Sequence, residues 1–134
     1  MIVIDASSLA KYVLKEKEWL KVEEYLSKEA CSIDHVIKEV ANAIWKHTAI
    51  YSRVSEETAE TLYRILKKLV KENIVKIESQ DKYIDEAFKI ALQNKITVYD
   101  ALYLAQAKHY GKLLTSDMKQ AKIAKKLGIK VHVV

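Results

Sequence analysis

Four carboxylates stand where this chain could use them for chemistry: Asp5 in VIDASSL, Glu39 in HVIKEVANAIW, Asp100 in ITVYDALYLAQA and Asp117 in LLTSDMKQ. Asp100 is the oddest of them. Apart from Gln106, the residues that follow it as far as Ala107 are apolar or small, and a helix hydrophobic almost all round belongs in an interior. A carboxylate buried there costs several kcal/mol unless something compensates. Each acid has an ordinary explanation. Asp5 can cap the helix that follows it, and Asp117 with Gln120, or Thr97 with Asp100, has the spacing of a capping box. Glu39 can be a surface acid beside the face of Val36 and Val40. A cap is worth ~1 kcal/mol. Two carboxylates ~4 Å apart repel by about 4 kcal/mol at an effective dielectric near ~20, so an assembled set either holds protons or binds a cation. An all-oxygen set suits Mg²⁺ or Mn²⁺, which keep several waters and use few carboxylates plus phosphate oxygens. An open site of that kind is what metal-assisted phosphodiester hydrolysis needs.

Whether the four acids meet depends on the elements that carry them. Short apolar runs at 2–4, 30–33, 74–77, 112–115 and 130–134 read as strands. Periodic segments at 7–13, 18–28, 35–51, 56–72, 82–94, 98–110 and 118–127 read as helices. Ser55 before Glu56 and Glu57 is a helix start, and Gly111 and Gly128 each close a helix and open a strand. Short strands alternating with helices predict an α/β fold, a parallel sheet covered on both faces through right-handed crossovers. Ligands of such sheets bind outside the carboxyl ends of the strands, near a topological switch point. Asp5 and Asp117 follow the first and fourth strands, and the helices carrying Glu39 and Asp100 can bring those acids beside them.

The bulk composition narrows the classes. A chain of 134 residues, half of them hydrophobic, with charge spread along its length, is expected to fold as one globular domain. The N-terminus lacks the basic and apolar regions of a signal peptide, and no apolar run approaches the ~20 residues a membrane span needs. The lone Cys31 reads as a core residue of a cytoplasmic protein. The net charge of +5 agrees with a polyanionic partner, and with 21 Lys against 2 Arg the basic side chains act as point charges on phosphates.

The segments MIVIDASSLAK, IKEVANAIWK and ITVYDALYLAQAKHYGKLLTSD resemble, in order and spacing, a PIN domain of the VapC toxin type. The resemblance covers essentially the whole chain, and its most specific part is Y-D-A-L-Y-L-A-x-A followed by L-L-T-S-D. It implies a single PIN domain over residues 1–134, with a five-stranded parallel sheet and helices on both faces, in three layers. It also implies an acidic tetrad of Asp5, Glu39, Asp100 and Asp117 in a Mg²⁺- or Mn²⁺-dependent endoribonuclease. Such an enzyme is expected to be a homodimer inhibited by a small antitoxin protein of the VapB type, with no membrane partner. On this reading Asp5, Asp100 and Asp117 hold the metal directly or through water, and Glu39 completes the negative site. The hydroxyls of Ser7 and Thr115 are placed either to orient the carboxylates or simply to cap and turn the backbone. Two departures are visible. Asp34 and His35 stand where proline or serine is common in the family, and Lys119 and Gln120 follow Asp117 where some members carry another acid, which leaves the number of metal ions open.

Other readings are weaker. The four histidines lack ligand spacing, and with one cysteine a zinc site is disfavoured. No G-x-G-x-x-G or G-x-x-x-x-G-K occurs, which excludes the common nucleotide folds. A phosphotransfer site would want paired acids after the first strand, whereas Asp5 is followed by Ala6 and Ser7. Asp34 is expected to cap the helix that follows it, and the Lys67–Lys68 and Lys125–Lys126 pairs to be solvated helix faces, with a place along an RNA path as the alternative for either pair. Tyr12, Trp19, Leu20, Tyr25, Trp45 and Tyr51 are expected mostly in the core, with some lining a groove for an antitoxin peptide. The main rival from another class is a catalytically silent PIN-like module that binds RNA or protein, whose mark would be a missing tetrad acid; all four are present.

Overall fold

Strands β1 (Ile2–Ile4), β2 (Ala30–Ile33), β3 (Val75–Glu78), β4 (Lys112–Thr115) and β5 (Lys130–Val133) form one parallel sheet, ordered β3-β2-β1-β4-β5, in a computed structural model that describes residues 1–134. Between them run α1 (Ala6–Val13), α2 (Trp19–Leu26), α3 (His35–Trp45), α4 (Glu56–Lys71), α5 (Ile84–Asn94), α6 (Val98–Tyr110) and α7 (Met118–Lys126). Right-handed crossovers from β1 through β2 to β3 put α1–α4 on one face. The return to β4 and β5 puts α5–α7 on the other, giving the expected three layers. Connectivity reverses between β1 and β4, which is the switch point. The core centres there: β1 is buried throughout, and α6 is buried on every side from Ala101 to Ala107.

Most helix ends follow their sequence signals. Ser55 accepts the Thr58 N–H at 3.1 Å and starts α4. Gly111 ends α6 at φ +89°, and Gly128 ends α7 at φ +80°. After α7 the Ile129 N–H reaches the Ala124 carbonyl and the Gly128 N–H reaches that of Lys125, both at 3.0 Å, a Schellman closure that only a left-handed residue permits. A Cβ at Gly111 would meet nothing within 4 Å, so Gly111→Ala carries a backbone cost alone. It is expected to lower the unfolding free energy by about 1 kcal/mol, read from urea melts.

Three expectations need correction. The helix read as 35–51 is α-helical only to Trp45 and continues as a π-helical turn over Lys46–Ile50. Within it the Thr48 hydroxyl donates to the Ile44 carbonyl at 2.9 Å and competes with the backbone ladder. Asp34 does not cap α3: its backbone is already helical, and its carboxylate accepts the Gln80 N–H at 3.2 Å, tying the start of α3 to the segment after β3. Tyr12, Trp19, Leu20, Tyr25, Trp45 and Tyr51 are absent from the buried core, and Leu20, Trp45 and Tyr51 are exposed. Shorter aliphatics such as Leu9, Val22, Val40 and Leu66 fill the inward faces of α1–α4, so Tyr12 and Tyr25 pack half-buried against the margin of that core and Trp45 and Tyr51 lie at the surface.

At the far end of the sheet Glu78 accepts from Tyr83, Gln106, Tyr110 and Lys82. Burial alone would raise its pKa, but these bonds outweigh burial and hold it down at about 2. A depressed carboxylate stabilises the fold above its unfolded value of 4.5, and that contribution fades as pH falls towards about 2. Glu78→Gln is therefore expected to cost on the order of 2 kcal/mol near neutral pH. In melts repeated at successively lower pH, the deficit should shrink below pH 4.5.

Candidate functional site

Parallel register builds the centre of the site. Ile4 pairs with Leu114, and the Asp5 N–H donates to the Leu114 carbonyl, so the ladder runs one step past β1 and sets Asp5 beside Thr115. The Thr115 hydroxyl donates to Asp5 Oδ2 at 2.5 Å, and the Ser7 hydroxyl donates to Oδ1 at 2.6 Å. The Ser8 N–H also reaches Oδ1, at 3.2 Å, so Asp5 caps α1 as its position suggested. Asp5 is only 4% exposed, and no lysine, arginine or histidine pairs with it. Burial pushes its pKa up to about 6 against the pull of its hydrogen bonds, and the Asp117 charge pushes the same way.

Asp117 begins α7. Its Oδ1 accepts the N–H groups of Lys119 at 2.9 Å and Gln120 at 3.2 Å, while its own N–H donates to Thr115 Oγ1 at 3.1 Å. Thr115 thus bridges two of the acids. Gln120 does not complete a capping box: its side-chain amide donates to the Asp100 carbonyl at 2.9 Å and ties α7 to the first turn of α6. In that turn Thr97 accepts the Asp100 N–H at 3.2 Å. Partial burial raises the Asp100 pKa, and the Asp117 charge adds to the rise. Asp5, Asp100 and Asp117 therefore share one electrostatic neighbourhood.

Glu39 is held differently. Tyr103 donates its phenol proton to Glu39 Oε2 at 2.5 Å, and His35 Nε2 lies 3.4 Å from Oε1. Burial raises the Tyr103 pKa, and the Glu39 charge raises it further, so the phenol stays a donor. Neither Tyr103 nor His35 is among the residues that the sequence marks as candidates for the site. Both left a signal: a tyrosine inside an apolar helix needs a partner for its hydroxyl, and His35 stands four residues before Glu39, one helical turn away. A cleft of about 500 Å³ opens between α1, α3 and the start of α6, with Ser7, His35, Glu39 and Asp100 among its walls.

The four acids do not close into a group of three or more Asp, Glu, His or Cys ligands around one point. Their donor chemistry nevertheless fits a hard divalent cation. Every donor is oxygen, Asp117 Oδ2 accepts no hydrogen bond, and the buried Asp5 charge has no cationic side chain against it. A Mg²⁺-type ion that keeps several of its waters asks for no more than a few such carboxylates.

A parallel sheet in this order, with three aspartates gathered at its switch point, defines an α/β protein with an acidic site at the strand ends. The PIN-domain sequence profile matches residues 2–126, and the chain belongs to the PIN-domain family. It is 35% identical over 123 residues to Ribonuclease VapC3 of Pyrobaculum aerophilum, across 90% of this chain and 92% of that protein. To Exonuclease VapC9 of the same organism it is 29% identical over 119 residues, covering 88% and 80% of the two chains. The crystal structure of PAE2754, also from Pyrobaculum aerophilum, superposes with a TM-score of 0.69 at 26% identity, covering 97% of this chain and 87% of that one. No helix is long and apolar enough to cross a membrane.

Proposed function

We propose that residues 1–134 act as one PIN domain that hydrolyses RNA phosphodiester bonds internally with a divalent cation, Mg²⁺ or Mn²⁺. The observation that carries this reading is the Asp5 carboxylate, buried and unpaired at the switch point beside Asp100 and Asp117, in a chain similar to a ribonuclease over nine tenths of its length. Asp5, Asp100 and Asp117 would hold the cation directly or through water, with Glu39 adding charge from the cleft wall. Such a cation supplies polarisation of a phosphate oxygen and a more acidic bound water. The chain's own residues do the rest. Ser7 and Thr115 fix the Asp5 carboxylate in one orientation, Gln120 fixes the turn carrying Asp100, and Tyr103 holds Glu39 at the cleft. In the cell the reading is that of a cytoplasmic toxin, working as a homodimer and silenced by a small antitoxin of the VapB type.

Purified protein is expected to cut a circular single-stranded RNA when Mg²⁺ or Mn²⁺ is present and to leave it intact in EDTA. A circle has no ends, so its linearisation also separates internal cutting from trimming. The silent-module reading draws its support from Glu39, which already has a tyrosine donor, and from the missing three-ligand cluster. Binding of RNA without metal-dependent cutting would establish that reading instead.

A further inference from the structure

Tyr99 stands one residue before Asp100 and is 59% exposed. A ring that open ordinarily swings freely, but this one lies flat on His35, with centroids 4.9 Å apart and planes 15° from parallel. His35 is buried, so one face of Tyr99 is backed by the body of the protein while the ring itself lines the cleft. An aromatic face already fixed in place loses little freedom when a flat ligand settles on it, and an unpaired nucleobase is such a ligand. The cleft has a second feature. Lys38, Asn42 and Lys46 recur along α3 and its π-helical extension, line the same cleft, and are all exposed. Neither lysine is paired with a carboxylate. Eight residues of helix separate their ammonium stems by about 12 Å along the axis, the reach of a stretch of backbone rather than of a single anion. Aromatic ring, flanking ammoniums and a neutral amide together form a surface that takes nucleic acid by stacking and charge.

Building on the ribonuclease reading above, we propose that this cleft takes single-stranded RNA with one unstacked base laid on Tyr99 and the neighbouring phosphates along Lys38 and Lys46. Tyr99 then sets which nucleotide stands beside Asp100. Every base has a π-face, so the platform selects for an unpaired position more than for base identity. A base inside a duplex already has both faces covered and is excluded unless the helix opens.

The test measures binding of a short fluorescein-labelled single-stranded RNA by anisotropy, in an Asp5→Asn background that prevents cutting. Adding Tyr99→Ala is expected to weaken binding by about 5- to 100-fold, while Tyr99→Phe and Tyr99→Trp stay within about threefold. Lys38→Ala and Lys46→Ala should each lower affinity and reduce the slope of log affinity against log salt by about 0.7. With Asp5 intact, Tyr99→Ala should raise KM far more than it lowers kcat. A 2-aminopurine placed at successive positions of the strand should be quenched at one register by the wild-type ring and not by alanine. Melting curves of each variant show that it is folded. If Tyr99→Ala binds and cuts like the wild type while Asp100→Asn is inactive, the platform is overturned and the ribonuclease reading survives. Equal or tighter binding to duplex RNA also overturns the platform. A wild-type protein that neither binds nor cuts single-stranded RNA with Mg²⁺ or Mn²⁺ overturns both.

Discussion

Asp5→Asn is expected to melt higher than the wild-type protein in EDTA at pH 8, by on the order of 10 °C, although it removes a central carboxylate of the site. Burial lifts the Asp5 carboxyl from the ordinary 3.8 to about 6, so the folded chain binds this proton more tightly than the unfolded chain does. Stability must then fall as pH rises from about 4 to about 6 and stay low above that, by about 3 kcal/mol at the plateau. Asparagine has no charge to desolvate. Its Oδ1 can keep the Ser7 hydroxyl and the Ser8 N–H, and its amide can donate to Thr115 Oγ1 once that hydroxyl turns away. The advantage of the variant should vanish near pH 4, where the wild-type carboxyl carries its own proton. It should also shrink when Mn²⁺ is added, because a cation at about 100 times its Kd returns about 2.7 kcal/mol to the wild type and nothing to a variant that no longer binds it. Calorimetry across this pH range, with and without Mn²⁺, gives the result directly. A variant that melts lower than the wild type at pH 8 in EDTA would show that the carboxylate is not strained by its burial.

The architecture was legible because local signals and global topology agree. Glycines at 111 and 128, acids after Ser55 and strand-length apolar runs each marked a boundary that the sheet later needed. Where the structure departs from its local signals, a tertiary partner outweighs a local rule. Asp34 has the residue type of a cap, yet its backbone is helical and its carboxylate serves a turn 46 positions away. Gln120 has capping-box spacing, yet the Asp100 carbonyl on another helix claims its amide. The aromatic residues of the early helices carry the hydrophobicity of a core, but the sheet's inward faces were filled by smaller side chains.

Of the candidate site, Asp5, Asp117 and the hydroxyls of Ser7 and Thr115 could be named from their place at the ends of β1 and β4, since neighbouring parallel strands end at the same edge of the sheet, whereas Glu39 and Asp100 stand on helices. Their relative placement could not. Glu39 sits on a helix whose rotation about its axis depends on packing, and its carboxylate turned out to face Tyr103 and His35. Tyr99 was invisible as a stacking surface because its partner lies 64 positions earlier on a different element. Spacing within one helix can be read in a sequence; two rings brought together from opposite faces of a sheet cannot.

Asp100→Asn is expected to reduce cleavage at limiting Mn²⁺ by about 10³-fold while leaving the fold intact, and the reason lies in what the substitution spares. The first turn of α6 is set by the Asp100 N–H on Thr97 and by the Asp100 carbonyl on Gln120, and both are backbone groups that asparagine keeps. What disappears is one negative charge. A carboxylate ~4 Å from a divalent cation attracts it by about 8 kcal/mol at an effective dielectric of ~20, and with desolvation offsetting about half of that, about 4 kcal/mol or three decades of cation affinity is left. The loss should therefore appear mainly as a rightward shift of the Mn²⁺ dependence, with partial recovery at high metal. Tyr103→Phe makes the instructive contrast. It keeps every carboxylate but frees Glu39 from its phenol donor, and a 10- to 100-fold effect is the ordinary size for a residue that only orients a metal-binding group. Metal titrations of cleavage rate on both variants separate charge from orientation. If Asp100→Asn cuts as fast as the wild type at limiting Mn²⁺, the carboxylate at the head of α6 is a helix-terminus acid and nothing more.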